Sequence, residues 1–409
     1  MEEKDRILWY GIPAYGHINS NLYFAKRLVG EGFQVAYYAT EEFRTVIEAN
    51  GCKFRPYPIL QKEIDLSDGD KILKLYRLIL QYTADMLPVL IPEAKKEKPC
   101  GIIFDSLALW GRMVKDDLQV PGFGFYSIIA ISHIGDRGFW AYGEGFSADF
   151  LRYAGEMPRI VKLRRELWKD WGKTKLGLLD VLMNKGDRNF MGYSRLFQPG
   201  GERLGKEYQF LGPLAIYRQS VRQNDFVCPK EKVIYISFGT IFNQNERLLR
   251  EIVNQFGRKK GQENKWIKQY TVILVWPGKR EGGKMRFPDN FIVRDFVNQG
   301  EILRYASLFI TAGGANSIHE ALYYGVPCLM CPQQGEQLMN AKRFEQLGFG
   351  RILRNPRRII QEATQAISLK DNWPEEKRKS MTRPCVEKGL KIFRNLKNES
   401  NKGDKRDGR

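Results

Sequence analysis

The chain has 409 residues, 43% hydrophobic and 28% charged, a balance that suits a globular protein of two or three domains and excludes a low-complexity or disordered chain. It opens MEEKDRILWYGIP, without the basic and apolar regions of a secretory signal, and no apolar run reaches the ~18–20 residues that span a bilayer; the expectation is a cytoplasmic protein with no stable membrane insertion. The net charge is +19, with about half the excess after residue 340, but no helix-turn-helix, zinc-finger or RRM signature accompanies it, so it reads as a basic solvated surface with no nucleic-acid partner.

In chain order, RILWYGIP (6–13) reads as a strand, and Leu22, Ala25, Leu28 and Val29 follow at helical spacing, closed by Gly30 and Gly32. FQVAYYAT (33–40) is a strand, EEFRTVIEANG a helix, CKFRPYP a strand, 71–98 an amphipathic helix, and CGIIFDSL (100–107) a strand with Asp105 at its carboxyl end. This alternation predicts a parallel sheet. Residues 133–195, rich in aromatics and bases with poor periodicity, read as helices with long loops. A second alternating block runs from KVIYISFGT (232–240) through YTVILVWPG (270–278), FIVRDFVNQGEILRYA, SLFITAGG, NSIHEALYYG and VPCLMCP to QQGEQLMNAKRFEQLGFG. The predicted organisation is a first α/β domain over 1–213, a linker over 214–229, a second α/β domain over 230–385 and a C-terminal helix or tail over 386–409. With two doubly wound domains, a ligand is expected at the carboxyl ends of the strands, in a cleft between the two.

Several chemistries are excluded by the motifs that are missing. There is no G-x-x-x-x-G-K-[ST], no G-x-G-x-x-G after the first strand and no G-x-S-x-G elbow. Six scattered cysteines form no disulfide framework, and the one C-x-x-C, Cys328 and Cys331, lies in an apolar run that reads as a buried strand. The Asp68–Asp70 pair in DGD sits in a polar loop with no strand before it and reads as loop chemistry.

What remains points to a proton acceptor and an anion site. Of three histidines (His17, His133 and His319), His17 starts the first predicted helix directly after the first strand. A helix N-terminus disfavours imidazolium, and a carboxylate such as Asp105, at the end of a strand in the same sheet, can bond one ring nitrogen and leave the other as a base. The alternative for His17 is a capping or packing role. His319 lies inside a helix and reads as structural. In the second domain, Gly239 and Thr240 in SFGT and Gly313, Gly314, Asn316 and Ser317 in TAGGANS each place glycines between a strand and a helix. Backbone N–H groups at a helix start suit a diphosphate, and glycine allows close approach.

The ordered set YGHINSNL, FDSLALWG, FLGPL, SFGT, FVNQGEIL and FITAGGANSIHEALYYGVPCLMCPQQGEQLMNAKR resembles the macrolide-type inverting nucleotide-sugar glycosyltransferases, relatives of the plant UDP-glycosyltransferases, over nearly the whole chain. The resemblance implies the GT-B fold, an α/β architecture of two Rossmann-like domains, the first binding acceptor and the second a UDP-sugar. It implies transfer of a sugar, glucose by expectation, to a hydroxyl of a hydrophobic small molecule such as a macrolide, another antibiotic or a polyphenol. His17 would be the general base and Asp105 its partner. Phe296 would stack on the uracil, with Val297 and Gln299 along the nucleoside and Glu320 on the ribose hydroxyls. Thr240, Gly314, Asn316 and Ser317 would hold the diphosphate, and Glu336 and Gln337 the sugar. The implied mechanism is a single displacement with inversion that needs neither cofactor nor metal. Three positions depart from the family: Ala312 stands where a phosphate-contacting histidine is usual, Asn298 replaces a proline, and Glu336 an aspartate. Ala312 motivates an alternative reading, a degenerate homologue that binds nucleotide with weak turnover or none.

Overall fold

RILWY forms β1 (Arg6–Tyr10), with four of its five residues buried. α1 (Tyr15–Gly30) buries Ile18, Leu22, Ala25 and Leu28, one stripe at helical spacing, and Gly32 at φ +86 turns the chain out of it in a conformation that favours glycine. β2 (Gln34–Ala39), α2 (Arg44–Ala49) and β3 (Lys53–Pro56) complete the first βαβαβ run. Then come α3 (Ile72–Glu97), β4 (Gly101–Asp105), α4 (Leu109–Leu118), β5 (Gly122–Tyr126), α5 (Met157–Trp171), α6 (Asp180–Met183), β6 (Arg188–Met191) and β7 (Tyr208–Phe210). The coordinates are a computed structural model that describes residues 5–58, 72–130, 153–172, 180–217, 226, 229, 232–239, 245–257, 265–276 and 286–407.

Among these residues, the first sheet has seven strands in the order β3-β2-β1-β4-β5-β6-β7, every neighbouring pair parallel. Both faces are covered, which is why the strands read as apolar runs rather than alternating ones. Leu8 and Tyr10 pack with α3, α4 and α5 on one side; Ile7 and Trp9 pack on the other with α1 and a helix from the far end of the chain.

The second block gives β8 (Lys232–Ser237), α7 (Glu246–Phe256), α8 (Lys265–Lys268), β9 (Tyr270–Val275), β10 (Phe291–Arg294), α9 (Gln299–Leu303) and β11 (Ala306–Thr311). It continues with α10 (Ala315–Tyr324), β12 (Cys328–Met330), α11 (Gly335–Gln346), β13 (Gly350–Ile352), α12 (Ile359–Ser368) and α13 (Glu375–Thr382). The sheet is parallel, in the order β10-β9-β8-β11-β12-β13. Cys328 and Cys331 are buried and unbridged, with burial pushing both thiols up, an inert state rather than a redox one.

Contacts divide the chain into residues 1–221 with 383–409, and residues 222–382. α14 (Val386–Asp407) belongs to the first unit: the Phe393 ring lies 4.5 Å from Phe123, and Arg394 bonds Glu31 at 2.6 and 2.7 Å. Two sequence readings need correction. The stretch 133–195 is not only helix and loop, because β6 lies inside it and pairs with β5; its four residues, RNFM, are too short and polar to announce a strand. Residues 214–217, taken as the start of the linker, bury Leu214 and Ala215 in the first unit, and Tyr217 packs 5.1 Å from Tyr23 of α1. Among the described residues no helix is long and apolar enough to cross a membrane.

Candidate active site

Strand order sets where chemistry can collect. In the first sheet the order reverses between β1 and β4, and Tyr10 lies opposite Phe104 at their carboxyl ends. Chains leave this point in opposite directions and open a crevice between them. α1 starts there with no side-chain cap from Ala14, so His17 stands in its first turn. Asp105, the last residue of β4, is fully buried beside it.

His17 Nδ1 lies 2.8 Å from Asp105 Oδ2. The other carboxylate oxygen, Oδ1, accepts the Leu107 N–H at 3.0 Å and the Ser106 hydroxyl at 3.4 Å. A carboxylate only accepts, so Nδ1 carries the hydrogen and Nε2 keeps its lone pair. The pair predicted from two motifs 88 residues apart is therefore one hydrogen-bonded unit, with its tautomer set for proton uptake at Nε2.

Two further residues complete this half, and neither drew notice in the sequence. Ser127, just past β5, places its Oγ 2.9 Å from His17 Nδ1 and is buried. Asn184, also buried, donates from Nδ2 to the Asp105 carbonyl at 3.0 Å. Both follow elements that the sequence reading passed over, so no local signal marked them. At the same carboxyl end, Ile12, Leu107 and Trp110 join Leu75, Ile79 and Tyr82 of α3 around a narrow apolar hollow of about 10 Å³.

The second unit repeats the logic. Its order reverses between β8 and β11, and Ser237 pairs with Thr311 at the strand ends. Gly239 and Gly313 follow at φ +84 and +88. Gly314 starts α10 without a side-chain cap, and a Cβ at Gly239 or Gly314 would meet no described atom within 4 Å, so a ligand can approach the backbone. Asn316 and Ser317 lie in the first turn of α10. One turn on, Glu320 is buried and its Oε2 accepts from Gln299 Nε2 at 2.7 Å. Gln299 Nε2 also lies 3.5 Å from Ser317 Oγ. Phe296 is 41% exposed while Val297 is buried. On α11, Glu336 Oε1 accepts from Asn340 Nδ2 at 3.0 Å, and Gln337 Oε1 accepts from the Gln333 N–H at 2.8 Å.

Thr240, Asp68, Asp70 and His133 lie outside the described residues. His319 is buried inside α10, its Nδ1 donating to the Ala315 carbonyl at 2.7 Å, and burial lowers it to about 4, a neutral packing histidine. Ala312 is 2% exposed and joins the apolar cluster with Phe238, Ile310 and Cys331.

Two parallel α/β units, each with its polar residues gathered at a strand-order reversal, define the GT-B class of glycosyltransferase fold. A solved structure, the glycosyltransferase of kitacinnamycin, superposes with a TM-score of 0.73 at 20% identity over 99% of each chain. Residues 241–391 match the family model described as Glycosyltransferase family 28 C-terminal domain. The chain is 28% identical to an uncharacterized UDP-glucosyltransferase, YojK, of Bacillus subtilis, over 90% of this chain and 91% of that protein. It is 24% identical to the demethyllactenocin mycarosyltransferase of Streptomyces fradiae, over 92% and 81%. The chain is thus similar, over about nine-tenths of its length, to glycosyltransferases of the macrolide type.

Proposed function

We propose that the protein transfers a sugar from a nucleoside-diphosphate sugar to a hydroxyl of an apolar, natural-product-like acceptor, with inversion at the anomeric carbon. The observation that carries this reading is the His17–Asp105 pair at 2.8 Å, tautomerically set with Nε2 as acceptor, at the strand-order reversal of the first sheet. His17 Nε2 takes the proton as the acceptor oxygen attacks the anomeric carbon; Asp105 stabilises the imidazolium that forms. The C–O bond to the diphosphate breaks, and its electron pair leaves with the nucleotide.

In the second unit Phe296 offers an exposed ring face for the base, with Val297 and Gln299 along the nucleoside. Glu320 faces the ribose diol; the carboxylate exchanges its bond with Gln299 for two hydroxyls. Gly239, Thr240, Gly313, Gly314, Asn316 and Ser317 hold the diphosphate through backbone N–H groups and the positive end of α10, which also stabilise the leaving group, so no metal is needed. Glu336 and Gln337 meet the sugar hydroxyls. The apolar side chains of Ile12, Leu107 and Trp110 at this strand end favour an apolar acceptor. Sequence similarity to a UDP-glucosyltransferase favours UDP-glucose as donor. A His17→Ala variant tests the reading: turnover of UDP-glucose against a panel of hydroxylated acceptors should vanish while UDP still binds, and retained turnover refutes the base.

One observation favours a second reading. The Ala312 side chain offers no polar atom to a phosphate and lies in the apolar cluster. A nucleotide-binding homologue with weak turnover would show UDP affinity without product from any acceptor or donor in the panel.

A further inference from the structure

The geometry points to Ser127 as a positioning residue for His17: its hydroxyl oxygen is a second acceptor for the Nδ1–H, clamping the ring and stabilising the imidazolium formed during transfer. The inference rests on the proposed base role of His17 and adds a residue to it. Ser127 Oγ lies 2.9 Å from Nδ1, while Asp105 Oδ2 lies 2.8 Å from the same nitrogen. Nδ1 has one hydrogen. If it were bare, the Ser127 O–H could donate to it, but the Asp105 carboxylate would then face a lone pair at 2.8 Å. The carboxylate therefore decides the tautomer, and Ser127 Oγ accepts a share of the same N–H.

The two acceptors come from different elements, Asp105 from the end of β4 and Ser127 from the turn after β5, strands that pair in register up to Asp105 and Phe125. One hydrogen bond leaves an imidazole free to swing about the bond axis; two from separate strands fix its plane, and with it the direction of Nε2. The α1 backbone fixes the other end, since Ser20 Oγ donates to the His17 carbonyl at 2.6 Å. Asp105 faces the ring with its carboxylate at 2.8 Å. Protonation at Nε2 strengthens the Nδ1–H as a donor, so a second acceptor there favours the charged ring more than the neutral one.

The test is a Ser127→Ala and Ser127→Thr pair in the full chain. The readouts are UDP-glucose turnover against pH and the ¹⁵N-detected titration of the His17 ring, one of only three histidines to assign. Ser127→Ala should lower turnover by about threefold to tenfold at unchanged donor KM. The acid limb of the profile and the His17 midpoint should both move to lower pH by about half a unit, and Ser127→Thr should restore both. A merely structural role lowers rate or Tm without moving the limb. An unmoved limb and midpoint in a folded Ser127→Ala protein overturn the inference, whatever the rate does. If His17→Ala stays active, the base reading itself falls; if it is dead while Ser127→Ala titrates as the parent, only Ser127 is excluded.

Discussion

Asp105→Asn is the most informative single change, because the structure dictates which way the amide must turn. The Leu107 N–H donates to Oδ1 at 3.0 Å, so that corner requires an oxygen. The amide NH₂ then falls on the Oδ2 side, 2.8 Å from His17 Nδ1, where it donates. Nδ1 must now accept, its hydrogen moves to Nε2, and the lone pair that takes the acceptor proton is gone. Turning the amide the other way leaves the buried Leu107 N–H facing a donor, at about 1–3 kcal/mol. Either way the charge-assisted bond to the developing imidazolium is lost, about another 1.5–3 kcal/mol. The two together come to roughly 3–6 kcal/mol, or about 10²–10⁴ in kcat at 1.36 kcal/mol per tenfold. Asp105→Ala loses only the second contribution, because nothing forces the wrong tautomer, and should cost about 10–100-fold. The assay is UDP release from UDP-glucose with the best acceptor of a panel, with UDP affinity by calorimetry as the control, since the proposed donor residues belong to the other unit. An Asn variant as active as the Ala variant refutes the tautomer argument.

Gly313→Ala should weaken both stability and UDP binding: φ is +88 and the added Cβ would lie 3.2 Å from the Gln337 carbonyl, a strain of about 1–2 kcal/mol measurable by urea unfolding. Glu320→Gln should reduce UDP affinity by about 10-fold or more and thymidine diphosphate affinity by less, because the deoxyribose of the latter offers the carboxylate only its 3′-hydroxyl; calorimetry reads it. A chelator should leave turnover intact, and strong inhibition would count against a metal-free departure of the diphosphate. His319, held at about 4 against a usual 6.5, favours the fold when neutral. Its contribution is complete above about pH 6.5 and is lost as pH falls toward 4, about 3 kcal/mol in all, so the acid slope of the unfolding free energy should flatten in His319→Gln.

Long apolar strands followed by glycine-closed helices were legible, and so were the residues at their ends. His17, Asp105, Gly313 and Glu320 each sit within nine residues of the end of a strand that its own apolar run announces. What escaped was short or assembled from afar. β6 has four residues, one of them charged and one a buried asparagine whose Oδ1 accepts the Gly186 N–H at 2.9 Å; such a strand exists because β5 and β7 pair with it, not because its residues prefer it. Ser127 and Asn184 depend on those strands for their positions. The return of α14 to the first unit is likewise tertiary: Phe393 meets Phe24, Phe33, Phe123 and Phe190, residues spread along the chain.

Ala312 is where the two levels meet. By sequence it is a missing phosphate donor; by structure it is part of the apolar cluster that seats β11 against its neighbours, 2% exposed. A histidine there would gain a charge-assisted bond to the diphosphate, about 1.5–3 kcal/mol, but must fit beside Phe238 and Cys331, where overpacking costs about 1–3 kcal/mol. The two contributions are of similar size and act on different states, since the bond forms only with nucleotide bound and the crowding is present throughout. Ala312→His should therefore lower Tm without ligand and raise UDP affinity by up to about 10–100-fold, the gain visible as a larger ligand-induced rise in Tm. A lower Tm with no gain in UDP affinity would mean that the backbone of the glycine turn already satisfies the diphosphate, and that the alanine belongs to the packing of β11 alone.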